Sequence, residues 1–156
     1  MVRTLFVCLG NICRSPTAEG IFRHLVKQQG LTDKITTDSA GTSDWHIGQS
    51  PDERSQETAR ARGIELSDLK ARQSISADFE LFEYVIAMDK SNYQKLSAIC
   101  PAGREDRLHM FLDFAPQIGR RDVPDPYYHD GFDMVFDMLE AASAGLLQDI
   151  RDRHGL

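Results

Sequence analysis

One short segment near the start of the chain combines a thiol, a guanidinium and a flexible backbone. It reads Cys8-Leu9-Gly10-Asn11-Ile12-Cys13-Arg14-Ser15 and is followed by Pro16. Five residues separate the first cysteine from the arginine, which allows the backbone to curl around an anion above the sulfur. An arginine fork can hold two phosphate oxygens, and positive surroundings favour the thiolate form of a cysteine. The segment therefore predicts a loop that binds a phosphate-sized anion, with Cys8 as nucleophile and Arg14 at the rim.

The neighbouring residues favour a strand before this loop and a helix after it. The apolar run at residues 5–8 is typical of a buried strand, and Ser15 with Pro16 predicts a helix start with Ser15 as N-cap. Backbone N–H groups at such a helix start form a natural anion cradle. We expect the amides from Leu9 to Ser15 to surround the phosphate, while the Ser15 hydroxyl donates to the sulfur.

The remaining pattern predicts an α/β fold in a single domain spanning residues 1–156. Further strands are expected at residues 35–40, 84–88 and, less distinctly, 108–112. Helices are expected from a capping box at residues 50–53 to Gly63, over residues 91–99, and in a long apolar-faced stretch at residues 135–150. This alternation indicates a central four-stranded parallel sheet with helices on both faces. The phosphate-binding loop then follows the first strand, where ligands bind in such sheets.

Composition narrows the possible classes of function. The 156 residues are 41% hydrophobic and 27% charged, and no stretch approaches a signal peptide or a membrane span. A net charge of −6 argues against nucleic acid as a partner. Three cysteines are too few for a secreted disulfide scaffold, so a cytoplasmic location is expected. The five histidines show no metal-ligand spacing, and the chemistry requires neither a metal nor a cofactor.

Two alternative interpretations of the loop come from the same residues. A cysteine at the end of a strand can be an ordinary core residue, and the serine can be an ordinary helix cap. A nucleotide-binding P-loop is excluded, because no Gly-Lys-Ser/Thr sequence follows the glycine.

Beyond the loop, segments spread over the whole chain resemble one family in its own order. They are residues 38–42 (Asp-Ser-Ala-Gly-Thr), 45–48 (Trp-His-Ile-Gly), 71–73 (Ala-Arg-Gln), 87–89 with Asn92 (Ala-Met-Asp), and 125–128 (Asp-Pro-Tyr-Tyr). Together with the loop they resemble the low-molecular-weight protein tyrosine phosphatases. The resemblance implies hydrolysis of phosphotyrosine or aryl phosphate through a phosphocysteine intermediate.

The resemblance also implies roles outside the loop. Asp125 corresponds to the general acid, held between Pro124 and Pro126. Trp45, Tyr127 and Tyr128 correspond to the aromatic walls of the substrate pocket. The two tyrosines also correspond to positions that a tyrosine kinase can phosphorylate. Trp45 as a core residue, the tyrosines as surface aromatics and Asp125 as a turn residue are the alternative interpretations.

Several residues are expected to support the loop. Asn11 and Ser39 correspond to hydrogen-bonding partners of the loop, and Asp89 is expected to cap the helix near Asn92. Cys13 corresponds to a reversible disulfide partner of Cys8, the alternative being a small buried residue. The family histidine ahead of the Ala-Arg-Gln segment is missing, because Leu69 and Lys70 stand there.

The expected substrate is therefore a phosphotyrosine-containing protein or a small aryl phosphate. One alternative is an arsenate-reductase-like thiol enzyme, whose relay needs further cysteines, whereas Cys100 stands alone. Another is a phosphate-binding or redox-sensing module without turnover.

Overall fold

The computed structural model describes the backbone of residues 1–156 and every side chain except that of His129. Four parallel strands form one sheet in the order β2-β1-β3-β4. Their bounds are β1 Val2–Cys8, β2 Ile35–Gly41, β3 Tyr84–Ala87 and β4 Leu108–Met110. The register places Cys8 beside Gly41, so the cysteine stands at the carboxyl end of a central strand. The predicted α/β class with a four-stranded parallel sheet is confirmed.

Helices of very different lengths connect and cover the strands. The α-helices are α1 Arg14–Gln28, α2 Glu53–Ala61, α3 Asp78–Leu81, α4 Lys90–Ile99, α5 Pro126–His129 and α6 Phe132–His154. Short 3₁₀ turns cover Glu105–Arg107, Phe111–Phe114 and Pro116–Ile118. The pattern predicted the longer helices, whereas α3, α5 and the 3₁₀ turns are too short to show a periodicity. Among the described residues, no helix is long and apolar enough to cross a membrane.

Strand β1 divides the core into two layers, because successive side chains point to opposite faces of a sheet. Phe6 packs with α1 and α6 on one face, and its ring lies 5.7 Å from that of Phe22 and 5.3 Å from that of Phe111. Leu5 and Val7 pack on the other face with residues of α3 and α4. Since both faces are covered, the predicted arrangement of helices is also confirmed.

Two predicted helix caps are wrong. Helix α1 begins at Arg14 with Cys13 at the N-cap position, so Ser15 lies inside the first turn. Its hydroxyl bonds to Cys8 and Asn11 instead of to the helix backbone. Helix α2 is capped by Asp52, whose carboxylate accepts from the Arg54 amide at 2.8 Å. At α1 the Ser15 hydroxyl is used by the tertiary contacts of the loop, whereas at α2 two polar residues, Ser50 and Asp52, could each serve as the cap.

Strand boundaries also differ from the prediction. Strand β1 begins at Val2, three residues earlier than expected, because Val2 pairs with Ile35. Strand β4 ends at Met110, and the apolar residues Phe111 and Leu112 continue as a 3₁₀ turn. These two side chains are fully buried, so their hydrophobicity reflects burial and not strand pairing.

Candidate active site

Cys8 is held by a hydroxyl network at the end of β1. Its Sγ lies 3.0 Å from Ser15 Oγ, and only 3% of the residue is exposed. The Asn11 amide donates to the same serine oxygen at 2.8 Å, so the serine proton can go either to the sulfur at 3.0 Å or to the Ala40 carbonyl at 3.3 Å. A hydroxyl that donates to sulfur stabilises the thiolate both as nucleophile and as leaving group.

The loop conformation depends on Asn11 and on the close approach of Gly41. Asn11 adopts the left-handed region with φ of 57°, which asparagine tolerates better than most residues. Its Oδ1 accepts from the Arg72 amide at 3.0 Å, which ties the loop to the segment beyond α2. A Cβ on Gly41 would lie 2.8 Å from the Leu9 carbonyl oxygen, so a glycine is needed where β2 meets the loop. The first turn of α1 follows, and its N–H groups point toward the loop interior.

Arg14 lines the same cleft as Cys8 and Asp125, although its side chain is almost fully buried, and its expected position at the rim of the loop stays a prediction. Only 2% of the residue is exposed. Its Nη1 donates to Asp89 Oδ2 at 2.6 Å and to the Val123 carbonyl at 3.0 Å. Burial alone would lower the pKa of Arg14, but the Cys8 thiolate and the Asp89 carboxylate raise it above its usual value. The guanidinium therefore stays charged.

Asp89 has a second contact that the sequence interpretation missed. As predicted, its Oδ1 accepts from the Asn92 amide at 2.8 Å and caps α4, and the Asn92 side chain accepts from the Asp89 amide. Its other oxygen orients Arg14 from a position 75 residues along the chain. No local sequence pattern indicates that Asp89 pairs with Arg14. A carboxylate just after the third strand could nevertheless have indicated a residue near the site, because ligands bind at this edge of a parallel sheet. Asn92 itself is buried and acts only through Asp89.

Asp125 reaches the same cleft from the far end of the chain. Its Oδ2 lies 3.4 Å from Arg14 Nη2, and its Oδ1 accepts from the Tyr127 amide at 3.1 Å. It is the N-cap of α5, with Pro126 at the first helical position. The side chain is 26% exposed, so it faces the cleft while remaining anchored.

Aromatic side chains line the mouth of this cleft. The lining comprises Cys8, Leu9, Gly10, Ile12, Cys13, Arg14, Trp45, His46, Asp125, Tyr127 and Tyr128. Trp45 and Tyr128 are each 64% exposed, which excludes the core interpretation for the tryptophan. His46 was missed: its ring packs so closely over Gly10 that an added Cβ there would lie 2.9 Å from His46 Cδ2. A larger cleft of about 670 Å³ lies between α1 and β2, but none of the catalytic candidates lines it.

Ser39 does not bond to the loop, contrary to expectation. Its hydroxyl donates to Glu19 of α1 at 2.7 Å, and Glu19 is 6% exposed. Burial raises the pKa of Glu19 to about 7, and the Ser39 hydrogen bond only partly opposes this. Of the two residues that stand where the family histidine was expected, Leu69 packs against the core and Lys70 donates to the Ser50 hydroxyl at 2.9 Å.

Cys13 lies below the loop in a small apolar cluster with Ile12, Ala71 and Phe132. Burial raises the pKa of the Cys13 thiol to about 12. Both Cys8 and Cys13 are free thiols in the structure, and Cys100 is a half-buried free thiol elsewhere. The disulfide role of Cys13 stays a prediction.

The arrangement can perform a nucleophilic displacement on a bound anion. A thiol at a strand end, a guanidinium held by Asp89, the residues of the loop and a carboxyl group all line one cleft. The thiolate can attack, the cation can hold charge that develops on oxygen, and the carboxyl can move a proton to a leaving group.

Comparisons with known proteins agree with this chemistry. A profile of the family "Low molecular weight phosphotyrosine protein phosphatase" matches residues 3–154. The low molecular weight protein-tyrosine-phosphatase YfkJ of Bacillus subtilis is 42% identical over 151 residues, covering 97% of each chain. Its crystal structure superposes with a TM-score of 0.95, covering 98% of this chain and 96% of that one. A protein tyrosine phosphatase from Entamoeba histolytica, crystallised with Hepes in the active site, is 39% identical with a TM-score of 0.92 and covers 99% of both chains.

Proposed function

The chain belongs to the low molecular weight phosphotyrosine protein phosphatase family, and on this premise we propose that it hydrolyses phosphotyrosine and related aryl phosphates. The observation that carries the proposal is the convergence of Cys8, Arg14 and Asp125 on one cleft. Arg14 pairs with the Asp125 carboxylate at 3.4 Å and lines the cleft with Cys8.

In the first step, the Cys8 thiolate attacks phosphorus and forms a sulfur–phosphorus bond. The bond between phosphorus and the tyrosine oxygen breaks, and Asp125 gives its proton to that oxygen. Arg14 and the loop amides hold the negative charge on the three remaining phosphate oxygens. The Asp89 pairing keeps the guanidinium in place while charge moves.

In the second step, water hydrolyses the phosphocysteine. Asp125, now a carboxylate, takes a proton from the water as its oxygen attacks phosphorus. The sulfur–phosphorus bond breaks, inorganic phosphate leaves, and Cys8 returns as a thiolate. The hydroxyl of Ser15, 3.0 Å from the sulfur, stabilises the leaving thiolate.

The aromatic mouth supports an aryl substrate. Trp45, Tyr127 and Tyr128 line the cleft together with Cys8, and aromatic side chains of this kind favour contact with a phenyl ring. A phosphoserine side chain is shorter and has no ring for these aromatic side chains to contact. We therefore expect phosphotyrosine in a protein, or a small aryl phosphate, to be the substrate.

Two further expectations belong to this proposal. Tyr127 and Tyr128 are 39% and 64% exposed, which leaves both rings within reach of a tyrosine kinase. A reducing cytoplasm would keep Cys8 reactive. Phosphorylation is tested by incubating the purified chain with a tyrosine kinase and locating the phosphate by mass spectrometry. Absence of phosphate on both tyrosines contradicts this expectation.

The hydrolase proposal is tested with purified protein on phenyl phosphate, a phosphotyrosine peptide and the matched phosphoserine peptide. We expect turnover of the first two and at most a trace on the third. Replacing Asp125 with alanine should lower turnover of phenyl phosphate by roughly 10²–10⁴. Cys8→Ser should abolish turnover, and activity that survives in it would remove Cys8 as the nucleophile.

The redox role of Cys13 is a separate part of the proposal. Peroxide oxidises the Cys8 thiolate to a sulfenic acid and is itself reduced to water; the Cys13 thiolate then attacks this sulfur and expels hydroxide, which with the proton lost from Cys13 gives water and leaves a disulfide. Because burial raises the pKa of Cys13 to about 12, this attack should be slow near neutral pH. The test is to inactivate the protein with peroxide, treat it with a thiol and measure the activity that returns. Less activity should return in Cys13→Ser than in the wild type, and an equal return in both contradicts the disulfide.

A further inference from the structure

We propose that Arg54 is a positioning residue that holds the segment bearing the general acid against the phosphate loop, an inference that rests on the proposed function. Arg54 lies in the first turn of α2. Its guanidinium carbon is 5.4 Å from the centre of the Tyr127 ring and 4.9 Å from that of Phe132. Its Nη2 also lies 3.4 Å from the Tyr127 carbonyl oxygen. One cation thus contacts residues on both sides of the turn between α5 and α6.

Arg54 is also connected to the phosphate loop, through Asp52. Arg54 forms a fork with Asp52, with Nε 3.1 Å from Oδ1 and Nη2 3.0 Å from Oδ2. The backbone amide of Asp52 donates to the Ile12 carbonyl inside the loop at 2.8 Å. A continuous chain of contacts therefore runs from the phosphate loop through Asp52 and Arg54 to Tyr127.

This series of contacts ends at the general acid, Asp125. The Tyr127 amide donates to Asp125 Oδ1, so the placement of Tyr127 fixes the placement of the carboxyl. Helix α5 has only four residues and cannot hold its own conformation without tertiary contacts. Arg54 and the apolar contacts of Phe132 with Ile12 and Cys13 supply such contacts. Arg54 faces the outer side of Tyr127 and is not among the residues that line the cleft, so it acts through other residues.

The test exploits the dependence of the first step on the leaving group. A poor leaving group such as phenolate needs the acid, whereas p-nitrophenolate leaves with little help. We therefore measure kcat/KM of Arg54→Ala for phenyl phosphate and for p-nitrophenyl phosphate. Displacing the acid should lower kcat/KM about tenfold for the first and about twofold or less for the second. A loss of the same size for both substrates overturns the proposal.

Two matched variants accompany this measurement. Arg60→Ala removes another arginine of α2, one paired with Glu65 and away from the cleft, and should leave both rates unchanged. Arg54→Lys keeps the charge but loses the fork and the flat face, so it should behave like the alanine variant. If Arg54→Lys has the wild-type kcat/KM for phenyl phosphate, stacking of the guanidinium on Tyr127 and Phe132 is not what positions the acid. Thermal melting of each variant separates loss of folding from displacement of the acid.

The proposed function is checked in the same experiment with Asp125→Ala. If that variant loses activity mainly on phenyl phosphate while Arg54→Ala does not, the positioning role is wrong and the phosphatase assignment stands. If the wild-type chain hydrolyses neither ester, the phosphatase assignment itself is wrong.

Discussion

Individual side chains at this site satisfy more than one demand at once. Ser15 was expected both to cap α1 and to contact the sulfur; its hydroxyl does lie beside the sulfur, but the helix begins at Arg14, two residues earlier than expected. Arg14 Nη1 donates to the Asp89 carboxylate and to the Val123 carbonyl, and Nη2 lies on the side of Asp125, where it is available for a bound anion. The chemistry of such residues could be predicted from their type and spacing. Their partners could not, because 75 and 111 residues separate Arg14 from its two carboxylates.

Glu19 makes stability depend on pH. Its pKa is about 7 in the folded protein against an ordinary value of 4.5, so the folded state binds more protons than the unfolded state between these values. Stability therefore falls as pH rises through this range, by up to about 3 kcal/mol. Glu19→Gln cannot ionise, and we expect it to be more stable than the wild type at about pH 8 and similar at about pH 5, measured by urea unfolding.

A suitable control for this prediction is Glu140→Gln, since Glu140 is exposed on α6. It should leave the pH dependence of the urea midpoint unchanged. If the difference in unfolding free energy between Glu19→Gln and the wild type is the same at both pH values, ionisation of Glu19 does not cause the pH dependence of stability.

At the scale of elements, the catalytic loop depends on the end of β2 beneath it. The Gly41 amide and carbonyl bond to the segment at residues 72–74, and its Cα carries no side chain toward the loop. The sequence predicted the strand and the loop separately, because each has a local signature. Their contact distance could not be predicted, since it depends on how two non-adjacent segments meet.

Gly41→Ala should move the loop. The new Cβ would lie 2.8 Å from the Leu9 carbonyl oxygen and 3.2 Å from the Asn11 amide nitrogen, and both are backbone atoms that cannot rotate away. We expect kcat/KM for an aryl phosphate to fall about tenfold or more, because displaced amides hold the phosphate poorly. Steady-state kinetics of the folded variant measure this.

Gly20→Ala provides the comparison, because its Cβ would meet Leu66 and Ile64 side chains in the core and not the loop. This variant should lose stability while kcat/KM changes little. If Gly41→Ala instead loses only stability, the loop adapts to the added methyl and the close approach does not control catalysis.

At the scale of the whole molecule, α6 closes one face of the sheet by packing against α1 and the 3₁₀ turn Phe111–Phe114. The apolar spacing predicted this helix and its buried side: Val135, Leu139, Ala142, Leu146 and Ile150 are all buried. The spacing said nothing about Gly145, which looks unfavourable inside a helix. The structure explains it, since the backbone of Phe114 passes directly over this position.

Gly145→Ala should therefore destabilise the protein, although alanine is the better helix former. The methyl group would overlap the Phe114 carbonyl, and overpacking of this kind costs about 1–3 kcal/mol or more. The midpoint of urea unfolding measures the change, with Gln148→Ala on the exposed side of α6 as control. A gain in stability would mean that α6 can shift away from the turn at no cost.

The sequence separation between the nucleophile and its acid has a consequence for synthesis on the ribosome. The thiol-bearing loop is made among the first fifteen residues, Asp89 follows much later, and Asp125 later still. A nascent chain that ends before Val123 would carry Cys8 and Arg14 with neither the Val123 carbonyl nor the acid in place. Helix α6, which covers α1, is translated after all of these residues. A nascent chain that has not yet reached Asp125 therefore lacks the proton donor that the proposed first step requires, so the order of synthesis delays catalysis until the acid has joined the loop.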